Sequence, residues 1–290
     1  MATGVLADEI RHKLGELSPA ERKVGRVLLA AYPSAGFETV AAIAERAGVS
    51  APTVLRFVSR FGFRGFPDFQ AALRAELEER NASPLSLYEA PDYGRPVDET
   101  ADGGSLLERV GRVFPAEVAK TLAELPPHDL DAAVRLLADG KLRLTLAGGR
   151  FTHLFAQYLG LHLMQLREEV RFLPDRDVER TATLASLGRR DVLVLFDYRR
   201  YERDKVAMAG LVRDRGGKVL LFTDTWLSPV TSRADVVLPC RVTAPSPYDS
   251  LVPTLAVIET VIAGVIEALG ESGHDHLRRG EDVAQHIGLV

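Results

Sequence analysis

Five short apolar runs most constrain what this 290-residue chain can fold into. They are LRLTLA (142–147), VRFL (170–173), DVLVLFD (191–197), KVLLFTD (218–224) and ADVVLP (234–239). Taken together they are nearly continuous in apolar residues, most clearly in DVLVLFD and KVLLFTD, the pattern of strands buried on both faces. Helical patterns separate them, over about 152–166, 178–187 and 202–215, and a last helix spans 250–269. Strands alternating with helices predict a parallel sheet covered by helices on both sides. Residues 106–138 read as helical in pieces, broken near Pro115 and at Pro126-Pro127.

The first third has a different texture, with no strand-like run. Val40, Ile43, Ala44 and Ala47 form an i, i+3, i+4, i+7 apolar stripe. Gly48 then offers a left-handed exit from that helix. Ser50 is placed as an N-cap, and Pro52 suits a first turn, where its missing N–H costs nothing. Val54, Phe57, Val58 and Phe61 share one face of a second helix, and Thr53, Arg56 and Arg60 lie on others. Two short helices around a glycine turn fit a helix-turn-helix, whose second helix enters the DNA major groove. They fit an ordinary helical hairpin as well. From Ser50 to Arg74 the bases Arg56, Arg60, Arg64 and Arg74 face one acid, Asp68, which favours a phosphate-facing surface. The candidate DNA-contacting residues are Ser50, Thr53, Val54, Arg56, Arg60 and Arg64.

Around this pair, residues 6–17 form an amphipathic lead-in helix. Ser18-Pro19-Ala20-Glu21 is a capping-box helix start, and its helix ends before Pro33. Another helix spans about 69–79. Residues 81–105 read as a linker, interrupted by Pro84, Pro91, Pro96, Gly94, Gly103 and Gly104. The expected organisation is a DNA-binding domain over 1–80, a linker over 81–105, an α/β domain over 106–270 and a polar, fraying tail over 271–290.

LSPAERKVGRVLLAAYP (17–33) followed by IAERAGVSAPTVLRFVSRFGFRGFPDFQAALR (43–74) closely resembles the N-terminal domain of the RpiR/MurR family of bacterial transcriptional regulators. The resemblance extends more weakly over the second half. It implies an all-helical helix-turn-helix domain joined to a sugar-isomerase (SIS) domain, a flavodoxin-like αβα sandwich with a parallel sheet. It also implies a double-stranded DNA operator, a carbohydrate-derived effector and a homodimer or homotetramer.

Composition bounds the rest. The chain is 46% hydrophobic and 26% charged, with net charge −4. Residues 1–80 carry 11 Lys/Arg against 10 Asp/Glu, so DNA contact must come from a local patch. One cysteine, Cys240, fits a reducing cytoplasm. No apolar run is expected to reach the length of a membrane span, and no secretory signal is read, so a cytoplasmic protein without a membrane partner is expected.

In open α/β sheets ligands lie beyond the carboxyl ends of the strands. The first such end, Ala147-Gly148-Gly149-Arg150-Phe151-Thr152, aligns with the SIS phosphate loop. The second, Phe196-Asp197-Tyr198-Arg199-Arg200-Tyr201-Glu202, departs from it. Asp197 and Arg199 stand where the resemblance implies serines, Arg200 where it implies glycine, and Glu202 near the usual threonine. Two arginines there can hold an anion by bidentate contacts, or pair with Asp197, Glu202 or a partner subunit. The third, 222–229, carries Thr223, Asp224, Trp226 and Ser228. The candidate ligand residues are Gly148, Gly149, Arg150, Thr152, Asp197, Arg199, Arg200, Thr223, Asp224 and Ser228. The histidines form no recognisable catalytic or metal-ligating arrangement, and Gly148-Gly149 is not a dinucleotide fingerprint. No catalytic residue, metal or cofactor is expected. The reading is a regulator sensing a small anionic metabolite, with a SIS-fold isomerase or a ligand-insensitive scaffold as alternatives.

Overall fold

The computed structural model describes residues 6–89 and 105–289. The chain divides into two compact units, Met1–Ala82 and Ser83–Val290.

The first unit is helical: α1 (Leu6–Lys13), α2 (Pro19–Ala30), α3 (Val40–Ala47), α4 (Ala51–Arg60) and α5 (Phe66–Asn81), with a 3-10 turn at Ser34–Phe37. Its core is the set of periodic apolar residues, among them Ile10, Val24, Leu28, Ile43, Phe57, Val58, Phe69 and Leu73. Phe57 and Phe61 pack ring to ring at 4.8 Å, and Phe69 sits between Phe63 and Phe66. Gly48 ends α3 with φ 60°, a left-handed conformation that disfavours a Cβ.

The second unit begins with the short α6 (Pro84–Tyr88), inside the stretch read as linker. The rest of that linker, residues 90–104, lies outside the described residues. Next come α7 (Leu106–Glu124), α8 (Pro127–Ala138), β1 (Arg143–Gly148), α9 (His153–Leu166), β2 (Val170–Phe172) and α10 (Asp177–Ser186). These are followed by β3 (Asp191–Asp197), α11 (Arg203–Asp214), β4 (Lys218–Asp224), β5 (Val236–Cys240), α12 (Val252–Leu269) and α13 (Glu271–His286). The five strands make one parallel sheet in the order β2-β1-β3-β4-β5. One face packs Leu144, Leu146, Val194, Phe196, Phe222 and Leu238 against α8, α9 and α12. The other packs Leu193, Leu195, Val219 and Leu221 against Met208, Ala209 and Val212 of α11. Every residue of β3 is buried, as its apolar run requires.

Three expectations change. The helix of 106–124 runs through Pro115 unbroken. The carbonyl that the proline ring displaces belongs to Gly111, an exposed position where it can tilt toward water. The polar tail forms α13, with Leu277 packed against the core and His276 Nε2 3.2 Å from the Met164 carbonyl oxygen. And α12, 18 residues with mean hydropathy 1.8, is long and apolar enough to cross a membrane. In this fold its Val257, Ile258, Val261 and Val265 are buried in the core beside the sheet.

In the first unit one carboxylate joins two helices. Glu21 closes the capping box of α2: Ser18 N–H donates to Oε2 at 2.9 Å, and Glu21 N–H donates to Ser18 Oγ at 3.3 Å. Arg60, the last residue of α4, also donates to Oε2, at 3.0 Å. Hydrogen bonding from Ser18, then from Arg60, holds this carboxyl below its usual range against the opposing effect of burial. A depressed carboxyl contributes stability that is full above its unfolded-state pKa and is lost as pH falls through the folded one. Glu21→Gln should therefore cost about 1 kcal/mol at neutral pH. In urea titrations the gap should close as pH drops below the ordinary glutamate range; a gap independent of pH would refute the charged tie.

Candidate functional site

The outward surface of the first unit is narrower than the sequence suggests. On α4, Ala51, Pro52, Leu55, Arg56, Ser59 and Arg60 are exposed. Val54 is completely buried in the core, so it contacts no DNA; its place on the Phe57 stripe decides this. Thr53 is 4% exposed and likewise does not face outward. Its hydroxyl lies 3.0 Å from the Ser50 hydroxyl and accepts from Arg56 Nη2 at 3.1 Å. Ser50 stands at the N-cap, φ −83° and ψ 153°, but its hydroxyl turns to Thr53 rather than to a helix N–H. The two hydroxyls thus form a prop under Arg56. Arg60 is tied back to Glu21, and Arg64 donates from Nε to Asp68 at 2.9 Å while staying almost fully solvated. Leu55, missed in the sequence reading, is 43% exposed beside Arg56. Its signal was present: a leucine one residue past the buried stripe on a helix otherwise polar outward.

At the carboxyl ends of the strands, the loops after β1, β3 and β4 meet. Gly148 closes the turn so tightly that a Cβ there would lie 2.4 Å from the His153 nitrogen. Gly149 N–H donates to Thr152 Oγ1 at 2.7 Å, and that hydroxyl donates to the Phe196 carbonyl at 3.1 Å, joining β1's loop to β3. Thr152 is thereby buried and spent on the turn. Arg150 and Phe151 are exposed.

The β3 and β4 loops are bonded to each other. Asp197 is buried; Ser228 Oγ donates to its Oδ2 and Glu202 N–H to its Oδ1 at 3.3 Å. Burial pushes the Asp197 carboxyl up, only partly offset by those bonds. Thr223 Oγ1 donates to the Asp197 carbonyl at 2.7 Å and accepts from Ser228 N–H at 3.0 Å. Asp224 accepts from the Arg199 amide, from Tyr201 OH at 2.6 Å and from Trp226 N–H at 3.1 Å. Asp197, Thr223, Asp224 and Ser228 are therefore interior struts with little or no surface, which corrects their placement in a ligand cup.

Arg199 takes the structural alternative. Its fork holds Asp249 through Nε at 2.7 Å and through Nη2, and its guanidinium lies 5.0 Å from the centre of the Trp226 ring. Arg200 is exposed, with φ 67°. The turn keeps the left-handed geometry that glycine adopts freely, at a cost of order 1 kcal/mol for an arginine. Lys205 is 1% exposed, and its ammonium donates to Glu202 Oε2 at 2.6 Å. The other oxygen of Glu202 hangs over Gly149, 3.0 Å from where a Cβ would stand. An internal carboxylate thus covers the glycine turn from the β3 side. Because Arg199 and Asp249 are a largely buried pair, Arg199→Ala should lower stability by about 2–4 kcal/mol with no ligand present. An unchanged melting temperature would return Arg199 to the candidate ligand contacts.

Next to the same turn, between α9 and the chain entering α10, a cleft of about 250 Å³ opens at the ends of β1 and β2. His153, Gln157, Asp175 and Arg180 give it polar groups, and Phe172, Leu173 and Pro174 an apolar side. Nothing in the sequence reading pointed to it, because β2 is short and carries no motif.

Comparison with known proteins follows the two units. Residues 4–80 match the helix-turn-helix domain of the rpiR family, and residues 136–264 match the SIS domain. The HTH-type transcriptional regulator HexR of Pseudomonas aeruginosa is 29% identical over 284 residues, covering 94% of this chain and 93% of its own. HexR of Escherichia coli is 28% identical over 283 residues, covering 94% and 92%. Among solved structures, the sugar isomerase domain of an RpiR transcription factor from Sphaerobacter thermophilus aligns with TM-score 0.57 and 26% identity. It covers 62% of this chain and 99% of that one. Vibrio vulnificus NanR complexed with ManNAc-6P aligns over 98% of this chain and 99% of its own, with TM-score 0.53 and 17% identity. With both domains matched in order and full-length relatives of the same organisation, the chain belongs to the RpiR family of helix-turn-helix proteins that carry a SIS domain.

Proposed function

We propose that the protein is a transcriptional regulator that binds operator DNA through α4 and senses a small anionic carbohydrate derivative with its SIS domain. What carries the DNA reading is the outward face of α4. Arg56 is the base of that face left to the groove, propped from beneath by Thr53, with Leu55 beside it. A guanidinium suits the acceptors of guanine, and an exposed leucine suits a thymine methyl group. Arg64 lies past the helix end, where a phosphate can exchange for Asp68. Two heads are needed for operator specificity, so the working unit is a homodimer or a larger assembly.

The sensing half rests on family and on position. In open α/β sheets the strand ends form the ligand-binding face, and Arg150 beside the glycine turn is an exposed guanidinium group there. HexR relatives are named as transcriptional regulators, which supports the regulatory role, and the NanR structure is a complex with ManNAc-6P, which supports a carbohydrate-linked effector. Binding would bias the spacing of the paired heads. The scaffold alternative draws on one observation, the internal pairing of the β3 and β4 loops. It predicts DNA binding that no metabolite alters.

Sequencing genomic fragments retained by the full chain tests the DNA reading, and the neighbouring genes indicate the metabolite. On a retained fragment, Arg56→Ala should weaken binding by about 1–3 kcal/mol and flatten preference at one base position. Equal loss on every sequence would make Arg56 a phosphate contact, and no loss would remove α4 from the groove. Light scattering at micromolar concentration should give a dimer or larger; monomer alone, with and without DNA, would overturn the paired-head arrangement.

A further inference from the structure

We infer that the cleft at the ends of β1 and β2, and not the crevice between β1 and β3, holds the hydroxylated body of the effector, a single monosaccharide-sized ring or chain. This rests on the sensing reading and adds where the ligand sits and which part of it is recognised there.

The first observation is that the β1–β3 crevice is already filled. Glu202 covers Gly149 and is held by the buried ammonium of Lys205. Asp197 is closed off by Ser228, and Arg199 by Asp249. A ligand entering there must displace charged pairs that satisfy one another at little exposure, and uncovering a buried lysine is costly.

The second observation is that the other side of the same turn is open. The cleft holds about 250 Å³, below the usual span of drug-sized sites at roughly 300–1,000 Å³. A cleft of that size suits one small group such as a sugar ring. Its depth comes from the fold. Gly160 of α9 has no side chain, and a Cβ there would lie 2.4 Å from the Phe172 ring, so the ring packs directly against the helix backbone. Phe172, Leu173 and Pro174 then offer an apolar surface to the C–H face of a sugar.

The third observation is the chemistry of the rim. Arg180 donates to Asp204 at 2.6 Å, so its charge is balanced within the protein. Asp175 is exposed, and among the described residues neither its side chain nor that of Gln157 has a hydrogen-bond partner. His153 uses Nδ1 toward the carbonyls of Gly149 and Arg150, leaving Nε2. A carboxylate, an amide and a ring nitrogen around an apolar patch suit several hydroxyl groups. They do not suit an anion, because Asp175 and Asp204 outweigh Arg180. The effector's anionic group therefore lies outside the cleft. Arg150, two residues from Gly148, is the exposed cation on the turn that the cleft shares.

The test is melting of the full chain with a panel of hexoses, amino sugars, sugar acids and hexose 6-phosphates, beside inorganic phosphate and citrate. At least one carbohydrate should raise the melting temperature. Gln157→Trp, a surface substitution that fills the cleft, should weaken that carbohydrate at least tenfold, and Asp175→Ala should weaken it too. Arg200→Ala, on the β3 side, should leave it within twofold. A carbohydrate response that survives Gln157→Trp and is lost in Arg200→Ala overturns the cleft and leaves the sensing reading intact. A response confined to inorganic phosphate or citrate, with DNA binding altered in parallel, overturns the carbohydrate class and with it the cleft as a sugar site, and leaves metabolite sensing intact. No response to any probe, with DNA binding intact, overturns both.

Discussion

The carboxylate of Asp197 is the point from which the second unit is organised. It ends the central strand of the sheet, buried, with a pKa raised by that burial. A buried carboxylate is tolerable only when its lone pairs are satisfied. Ser228 and the Glu202 amide satisfy them, and so two loops that are distant in sequence must converge on one strand end. Glu202 then starts α11 with its side chain turned back over the glycine turn, where Lys205 can reach it. Ser228, held in place, also receives the Val230 amide and opens the 3-10 turn that leads to β5. One desolvated acid thus fixes the geometry of three connections. It also explains why residues that stand at hydroxyl positions of a sugar-phosphate cup act here as struts.

Much of the architecture was legible because its signals are local. The central strands β3 and β4 are readable as runs since both faces of each are covered, and DVLVLFD marks the central strand residue for residue. The capping box at Ser18 and the glycine exit at Gly48 are short-range hydrogen-bonding and steric facts, and each stands where four residues of sequence put it. Side-chain roles were less legible. The partner of Arg199 is 50 residues away, and no periodicity announces Asp249. Thr53 sits on a helix whose buried arc is wider than an i, i+3, i+4 count implies, because α2 and α3 pack against it from two directions. Pro115 is a helix breaker by propensity alone, but the carbonyl it displaces is exposed, and past it Arg241 binds Glu117 and Glu124 on either side of Thr121 and ties that half of the helix to the end of β5.

The two units rely on different physics. The first stays together through an apolar core with aromatic packing and through carboxylates, Glu21 and Glu76, that each tie separate segments together. The second is held by a sheet buried on both sides and by polar pairs at the strand ends. Cys240 shows how dry that interior is: burial raises its thiol to about 11, so it is a packed sulfur and not a reactive one.

The prop beneath Arg56 has a kinetic meaning. A free arginine on a helix surface samples many rotamers, and fixing it on DNA forfeits side-chain entropy of about 2 kcal/mol. Here Thr53 and Ser50 have already restricted that search inside the folded domain. In the proposed complex with DNA the guanidinium would reach the groove in few orientations, so that a mismatched base would not be accommodated by its swinging aside. Discrimination would then lie in how long the protein stays on a site more than in how fast it arrives, because arrival is governed by the field of the phosphates and dwell by the fit of a side chain whose freedom was spent beforehand.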